Sequence, residues 1–168
     1  MQALSGMRRN SSDLQILKFA LWTAFLLVYQ AATSVATYLP PLIGIFFTYM
    51  IILNIEKNKK VKKYDKRWYF AIFYLIFAEQ VHGYALFSTM IGFLLFYYLV
   101  SDWLLVTFKS REILLIVFVA SGYFMTCLIT LLLRYVANLH MLNFDHKYFI
   151  YIAFEALLAT ILFRERFA

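Results

Sequence analysis

Tyr69-Phe70-Ala71-Ile72-Phe73-Tyr74-Leu75-Ile76-Phe77 leads into Ala78-Glu79-Gln80-Val81-His82-Gly83, and a second apolar run follows from Tyr84 to Val106. A carboxyl group, an amide, an imidazole and a glycine are thus set between two long hydrocarbon segments. A helix rises ~1.5 Å per residue, so about 20 apolar residues cross ~30 Å of lipid, and runs of this kind read as membrane helices. Neither run alternates apolar with polar residues, which excludes barrel strands. The cluster at 78–83 therefore falls where one membrane helix turns into the next.

The same pattern extends outward. With 64% hydrophobic and 15% charged residues in 168, and a mean hydropathy of +0.73, the chain lacks the polar shell of a soluble domain. Spans are expected at about 17–36, 41–55, 68–82, 85–107, 112–134 and 147–163, forming one membrane domain over 1–168. The first follows a polar arm, Met1 to Lys18, and carries Ala20, Ala24, Ala32 and Ala36 as a stripe suited to close helix packing. Its start has the character of a retained span rather than a cleaved signal peptide. The second opens at Pro40-Pro41 and is short; proline is tolerated at the first helical position. Cys127 stands alone, so there is no disulfide framework.

Charge fixes the orientation. If both termini are cytoplasmic, that side holds fourteen of the sixteen Lys and Arg residues, leaving Arg134 and Lys147 outside, as the positive-inside rule requires. The predicted fold is an all-α, polytopic bundle of six transmembrane helices with both termini in the cytoplasm. Seven of the basic residues, Lys57, Lys59, Lys60, Lys62, Lys63, Lys66 and Arg67, fall in one loop. That loop reads first as a topogenic segment touching anionic lipid headgroups, and second as a docking site for an acidic partner.

Candidate site residues follow from the cost of placing ionisable groups in lipid, at least ~2.5–3.5 kcal/mol at the bilayer centre. Glu155 lies midway along the sixth span beside Ala153, Ala156, Ala159 and Thr160. It reads either as a register-fixing residue bonded to a hydroxyl such as Thr126 or Thr130, or as a proton- or substrate-binding carboxyl. Glu79 and His82 share a helical face and are placed to pair with each other or with Arg134. The stretch Glu79, Gln80, His82 and Gly83 is read with equal weight as a partner or pocket contact and as a turn closed by a glycine cap. Gly122, Thr126, Thr130 and Arg134 recur every four residues and point small side chains at a neighbour. Enzyme readings fail on geometry. Asp102 and Asp145 fall on opposite sides, no oxyanion glycine motif flanks Ser88, and no nucleotide fingerprint occurs. No catalytic residue, metal, cofactor or nucleic-acid partner is expected.

In the 71–88 region the chain resembles the rod-shape-determining MreD family, which favours small residues at four-residue steps, then an acidic residue, then a glycine four later. Ala71, Glu79 and Gly83 match; Leu75 and Phe87 stand where glycine is usual, and glutamate replaces the commoner aspartate. The short second span, the basic loop and the long fourth span fit the same family. The resemblance implies a six-helix bundle similar to the substrate-binding subunits of vitamin transporters. It also implies a non-catalytic scaffold in the bacterial inner membrane, part of the peptidoglycan elongation machinery. Its partners would be an MreC-like protein, a RodA-type glycosyltransferase with its transpeptidase and, indirectly, the MreB filament. The alternative is a small-molecule binding transport subunit whose Glu79, His82, Arg134 and Glu155 line an outward-facing pocket.

Overall fold

The computed structural model describes residues 2–36, 38–60, 66–140 and 146–164, with side chains from 13 onward and not at 59–60. Among the described residues there are helices and no strands. They are α1 (Gln2–Val35), α2 (Ile43–Lys60), α3 (Lys66–Val81), α4 (Ser88–Thr107), α5 (Arg111–Val136) and α6 (Lys147–Phe163). A helix overlies each expected span. Three of them, α4, α5 and the Asp13–Val35 part of α1, are long and apolar enough to cross a membrane. The polar arm is not separate from the first span, since α1 runs without interruption from Gln2.

Helix α5 is the centre of the bundle and packs on α2, α4 and α6, while α2 also touches α3 and α6. Small residues on α5 make this possible. Gly122, Thr126 and Thr130 are buried as the four-residue spacing predicts, and a Cβ on Gly122 would stand 2.9 Å from Phe47 Cβ. Phe47 in turn meets Phe93 and Phe96 edge-on at 5.7 and 5.6 Å, and Phe96 meets Phe118 at 5.9 Å, so the core is an aromatic knot among α2, α4 and α5. Tyr97–Ser101 forms a π-helical turn within α4, where the Asn58 amide donates to the Tyr97 hydroxyl at 2.8 Å.

Helix α1 behaves differently. Only 11% of its apolar segment is buried, and Ala20, Ala24 and Ala32 face outward. The stripe suited to close helix packing therefore lies mostly open, with Ala36 half-buried. The inward face is chosen instead by Gln30 and Thr33, both buried, whose polar atoms need partners in the bundle.

The contacts divide the ends of the bundle. One end gathers the α1–α2 turn, the His82–Gly83 turn and the start of α6. The other carries Lys66, Arg67, Lys109 and Arg111, with Arg164 beside Glu112 at 3.7 Å.

Candidate functional site

Helices α2 and α4 both begin after a bulky residue in the left-handed region, which has no side chain able to cap them. Helix α4 is preceded by Phe87, in the left-handed region at φ 65° and without a side-chain cap, and α2 by Leu42 at φ 59°. A bulky residue in that region costs about 1–3 kcal/mol. Each also leaves the first N–H groups of a helix without acceptors in a buried setting, where an orphaned donor costs about 1–3 kcal/mol. Both ends are completed by a glutamate from another helix.

Glu79, on the last turn of α3 and fully buried, supplies the first cap. Its Oε2 accepts the Phe87 N–H at 2.8 Å. Its Oε1 accepts the Thr89 N–H at 2.5 Å, the Ser88 hydroxyl at 3.1 Å and the Thr89 hydroxyl. A carboxyl group at this position also meets the positive end of the helix dipole. The turn between α3 and α4 is closed by Gly83 at φ 69°, with Tyr84 N–H donating back to the Glu79 carbonyl at 2.9 Å, the six-to-one bond of a Schellman cap.

Glu155, also fully buried, supplies the second. Its Oε2 accepts the Ile45 N–H at 3.0 Å, with the N–H groups of Leu42 and Gly44 alongside, and its Oε1 accepts the Tyr123 hydroxyl. Glu155 is the ninth residue of α6, about 12 Å below its first at ~1.5 Å per residue. Helix α2 therefore starts deep in the bundle, and Pro40-Pro41-Leu42 descends to meet it. Non-helical backbone is stable at such depth only when protein satisfies it. Here the Tyr29 hydroxyl donates to the Pro40 carbonyl at 2.9 Å, and the Tyr74 hydroxyl lies 3.3 Å from the Pro41 carbonyl and 2.7 Å from the Gln30 amide. Tyr74 has one proton for two acceptors, while Gln30 Nε2 is buried with no partner. Turning the amide over lets Gln30 Nε2 donate to Tyr74 and Tyr74 donate to Pro41, and leaves the amide oxygen in the position without a partner.

The sequence-predicted residues are thus distributed over several tasks. Glu79 does not pair with His82 or Arg134, as its face-sharing suggested, because α4 takes its acceptor capacity. Glu155 does bond a hydroxyl, but that of Tyr123; Thr126 donates to the Gly122 carbonyl, and Thr130 Oγ1 lies 3.4 Å from the Ala85 N–H. Arg134 donates to the carbonyls of Gly83 at 2.5 Å and His140 at 2.9 Å, strapping the α3–α4 turn to the end of α5. His82 reaches Thr33 Oγ1 at 3.0 Å and so ties α3 to α1. Gln80 is exposed, as are Lys66 and Arg67, with Lys57 half-buried on the last turns of α2. Lys59 and Lys60 lie on α2 without described side chains, and Lys62 and Lys63 lie outside the described residues. Tyr29, Gln30, Tyr74 and Tyr123 went unnoticed in the sequence, though an amide inside an apolar stretch, as at Gln30, is a readable sign of a buried partner.

His82 and Gly83 line a cleft of about 490 Å³ with Thr33, Pro41, Lys147 and Tyr151. Glu79, Arg134 and Glu155 are not among its walls, so the four residues expected to share one pocket do not. A second, apolar groove of about 770 Å³ runs between α5 and α6 past Tyr123 and Cys127. Among the described residues no three His, Cys, Asp or Glu side chains gather as a metal site would require.

These features define, among the described residues, an all-helical bundle with three helices long and apolar enough for a membrane, in which two separate glutamates cap the starts of α2 and α4 from the side. No family model, curated protein or solved structure matches the chain.

Proposed function

We propose that the chain is a non-catalytic, multi-pass scaffold subunit of a bacterial inner membrane, with six spans and both termini cytoplasmic, which works by packing against partner spans. Its resemblance to the MreD family gives the setting: the rod-elongation machinery, with an MreC-like protein and a RodA-type glycosyltransferase and transpeptidase as partners. The observation that carries this reading is the use of Glu79 and Glu155. Both buried carboxyl groups hold the chain's own helix ends, which is what a rigid packing body needs and what a proton carrier or substrate site would have to undo. Helix α1 adds support, because its alanine stripe is turned away from the bundle, and small residues on an open helix face allow another helix to approach closely.

Depletion of the protein in its native cell, with microscopy and affinity capture in mild detergent, tests the proposal. Rounded cells and co-purification of an MreC-like protein are expected; cells of normal shape yielding a transporter ATPase would overturn it. The 490 Å³ cleft favours a second reading, a small-molecule binding transport subunit, for which His82→Ala would alter solute uptake while leaving cell shape intact.

A further inference from the structure

Two charges of opposite sign stand on the outer faces of helices long and apolar enough to cross a membrane, Lys18 on α1 and Asp102 on α4. Both are exposed, and neither side chain has an ion pair or hydrogen bond among the described residues. Each is set among apolar side chains that are equally open: Leu14, Trp22 and Phe25 around Lys18, and Tyr98, Trp103 and Val106 around Asp102. The two also lie at one depth. Lys18 is five residues from Asp13, where the apolar segment of α1 begins, and Asp102 is five residues from Thr107, where α4 ends, so each is ~7.5 Å from that end of its span at ~1.5 Å per residue. Measured from the opposite end the match holds. Thr33 is level with His82, to which it bonds, and Lys18 lies ~22.5 Å below it. Ser88 is level with Glu79, ~4.5 Å below His82, and Asp102 lies ~21 Å below Ser88. The depths differ by about 3 Å, which the four-carbon stem of a lysine spans.

A lysine in such a place can extend toward the headgroups, but an aspartate, with a single methylene, cannot. Ionisable side chains within spans are as a rule paired or turned to water, so Asp102 on an open apolar face calls for a cation at its own depth. Helix α4 also gives up α geometry directly before it, in the π-helical turn Tyr97–Ser101, a feature frequent at functional sites. Lys18 does not reach Asp102 within one chain, where α1 and α4 are each packed on α3. A second copy supplies it. We infer that two copies of this chain associate, with Asp102 on α4 of one paired to Lys18 on α1 of the other. Trp103 then seats in the hollow of about 290 Å³ among Leu21, Trp22 and Phe25, beside Lys18. In a twofold pair the contact is made twice, since each copy offers one α1 and one α4. Ala20 and Ala24 lie about 160° and 120° round α1 from Lys18, so the second copy leaves the alanine stripe open to a different partner. The inference deepens the scaffold reading by naming one partner span, and rests on that reading for the placement of α1 and α4 in the membrane.

The test is energy transfer between donor- and acceptor-tagged copies of the full chain in lipid vesicles at a low protein-to-lipid ratio, where the parent should associate. Lys18→Glu sets two carboxyl groups against each other and Asp102→Lys two ammonium groups, so each variant alone should associate at least about tenfold more weakly than the parent. Both positions are exposed, and the Tm of each variant in mild detergent should stay near that of the parent. Mixed one to one, the two variants complement each other: the new carboxyl group of one meets the new ammonium of the other, and the unaltered Asp102 meets the unaltered Lys18. Transfer between them should return to the parent's level, a recovery that a merely structural role for either residue would not give. The inference is overturned if the parent is monomeric, if the single variants associate like the parent, or if the mixture does no better than either variant alone. A monomeric parent that still captures an MreC-like protein would remove the second copy and leave the scaffold reading standing. Loss of that capture in Asp102→Lys would assign the carboxyl group to that partner instead.

Discussion

At the scale of single residues, Glu79 and Glu155 look interchangeable but are not, and glutamine substitution separates them. At Glu155 one oxygen accepts a backbone N–H and the other faces the Tyr123 hydroxyl, whose own oxygen can accept. Glu155→Gln can therefore keep its carbonyl on Ile45 and turn its NH2 to Tyr123, leaving only the Tyr123 hydrogen without its acceptor, and a loss of about 1–2 kcal/mol is expected. At Glu79 the Oε2 side meets only the Phe87 N–H, and the Oε1 side meets another N–H and two hydroxyls. Whichever way Glu79→Gln turns, an NH2 opposes a backbone N–H, and the favourable charge at the helix start, ~0.3–1 kcal/mol or more, is gone. A loss of about 2–3 kcal/mol is expected. Unfolding followed by far-ultraviolet circular dichroism in detergent would rank the two; equal losses would contradict the hydrogen-bond assignment. The local half of this site was readable in part, because Gly83 after His82 signals a helix stop, whereas the next helix starts at Ser88, three residues beyond the expected 85. The distant half was not. Nothing at position 155 points to residue 45, since the two meet only once α2 and α6 are packed on α5.

Among the elements, α2 shows how a short helix is accommodated. From Ile43 to Ile55 it covers roughly 20 Å at ~1.5 Å per residue, less than a hydrocarbon core. The missing length is made by Pro40-Pro41-Leu42, which enters the bundle because Tyr29, Tyr74 and Glu155 satisfy it. Its brevity was legible from the Pro-Pro pair; its descent was not, because it depends on polar side chains from three other helices. Gly44 is the tight point. A Cβ there would stand 2.7 Å from Val119 Cγ1 and 3.0 Å from both the Val119 carbonyl oxygen and Glu155 Oε2. The Val119 side chain can turn away, but its carbonyl cannot, so Gly44→Ala must push α2 off α5 and stretch the cap. A loss of about 1–3 kcal/mol is expected, with partial recovery in the Gly44→Ala, Val119→Ala double variant. Full recovery would mean that the side-chain clash was the whole cost. On α1 the direction reverses. Ala24 is exposed, so Ala24→Leu should leave the Tm of the isolated chain within about 2 °C of the parent while reducing capture of its partner. Unchanged capture would remove this stripe from the proposed interface.

For the whole molecule, the sequence spoke most clearly through its charges, because the distribution of Lys and Arg is a property of the chain as a whole and needs no packing. The structure places Lys66, Arg67, Lys109 and Arg111 toward one end, with Arg134 and Lys147 toward the other, so alternation of the helices and alternation of charge agree. Which helices touch was not legible in this way. Hydrophobic periodicity is weak when every face is apolar, and the central position of α5 emerges from small residues and from the glutamate caps around it. The agreement makes a topology prediction that a single accessible thiol can test. In a Cys127→Ala background, with the native thiol removed from its buried site, cysteines are placed one at a time at Gln80 and His146, and at Lys66 and Ser110. A membrane-impermeant maleimide applied to intact spheroplasts should label positions 80 and 146 readily. Positions 66 and 110 should react only after the membrane is opened. The reverse pattern would place fourteen of sixteen basic residues outside, against the positive-inside rule, and would reverse the orientation proposed for the bundle. Labelling of 80 and 66 from the same side would instead remove α3 as a span, leaving the Glu79 cap as a packing device within one face of the membrane.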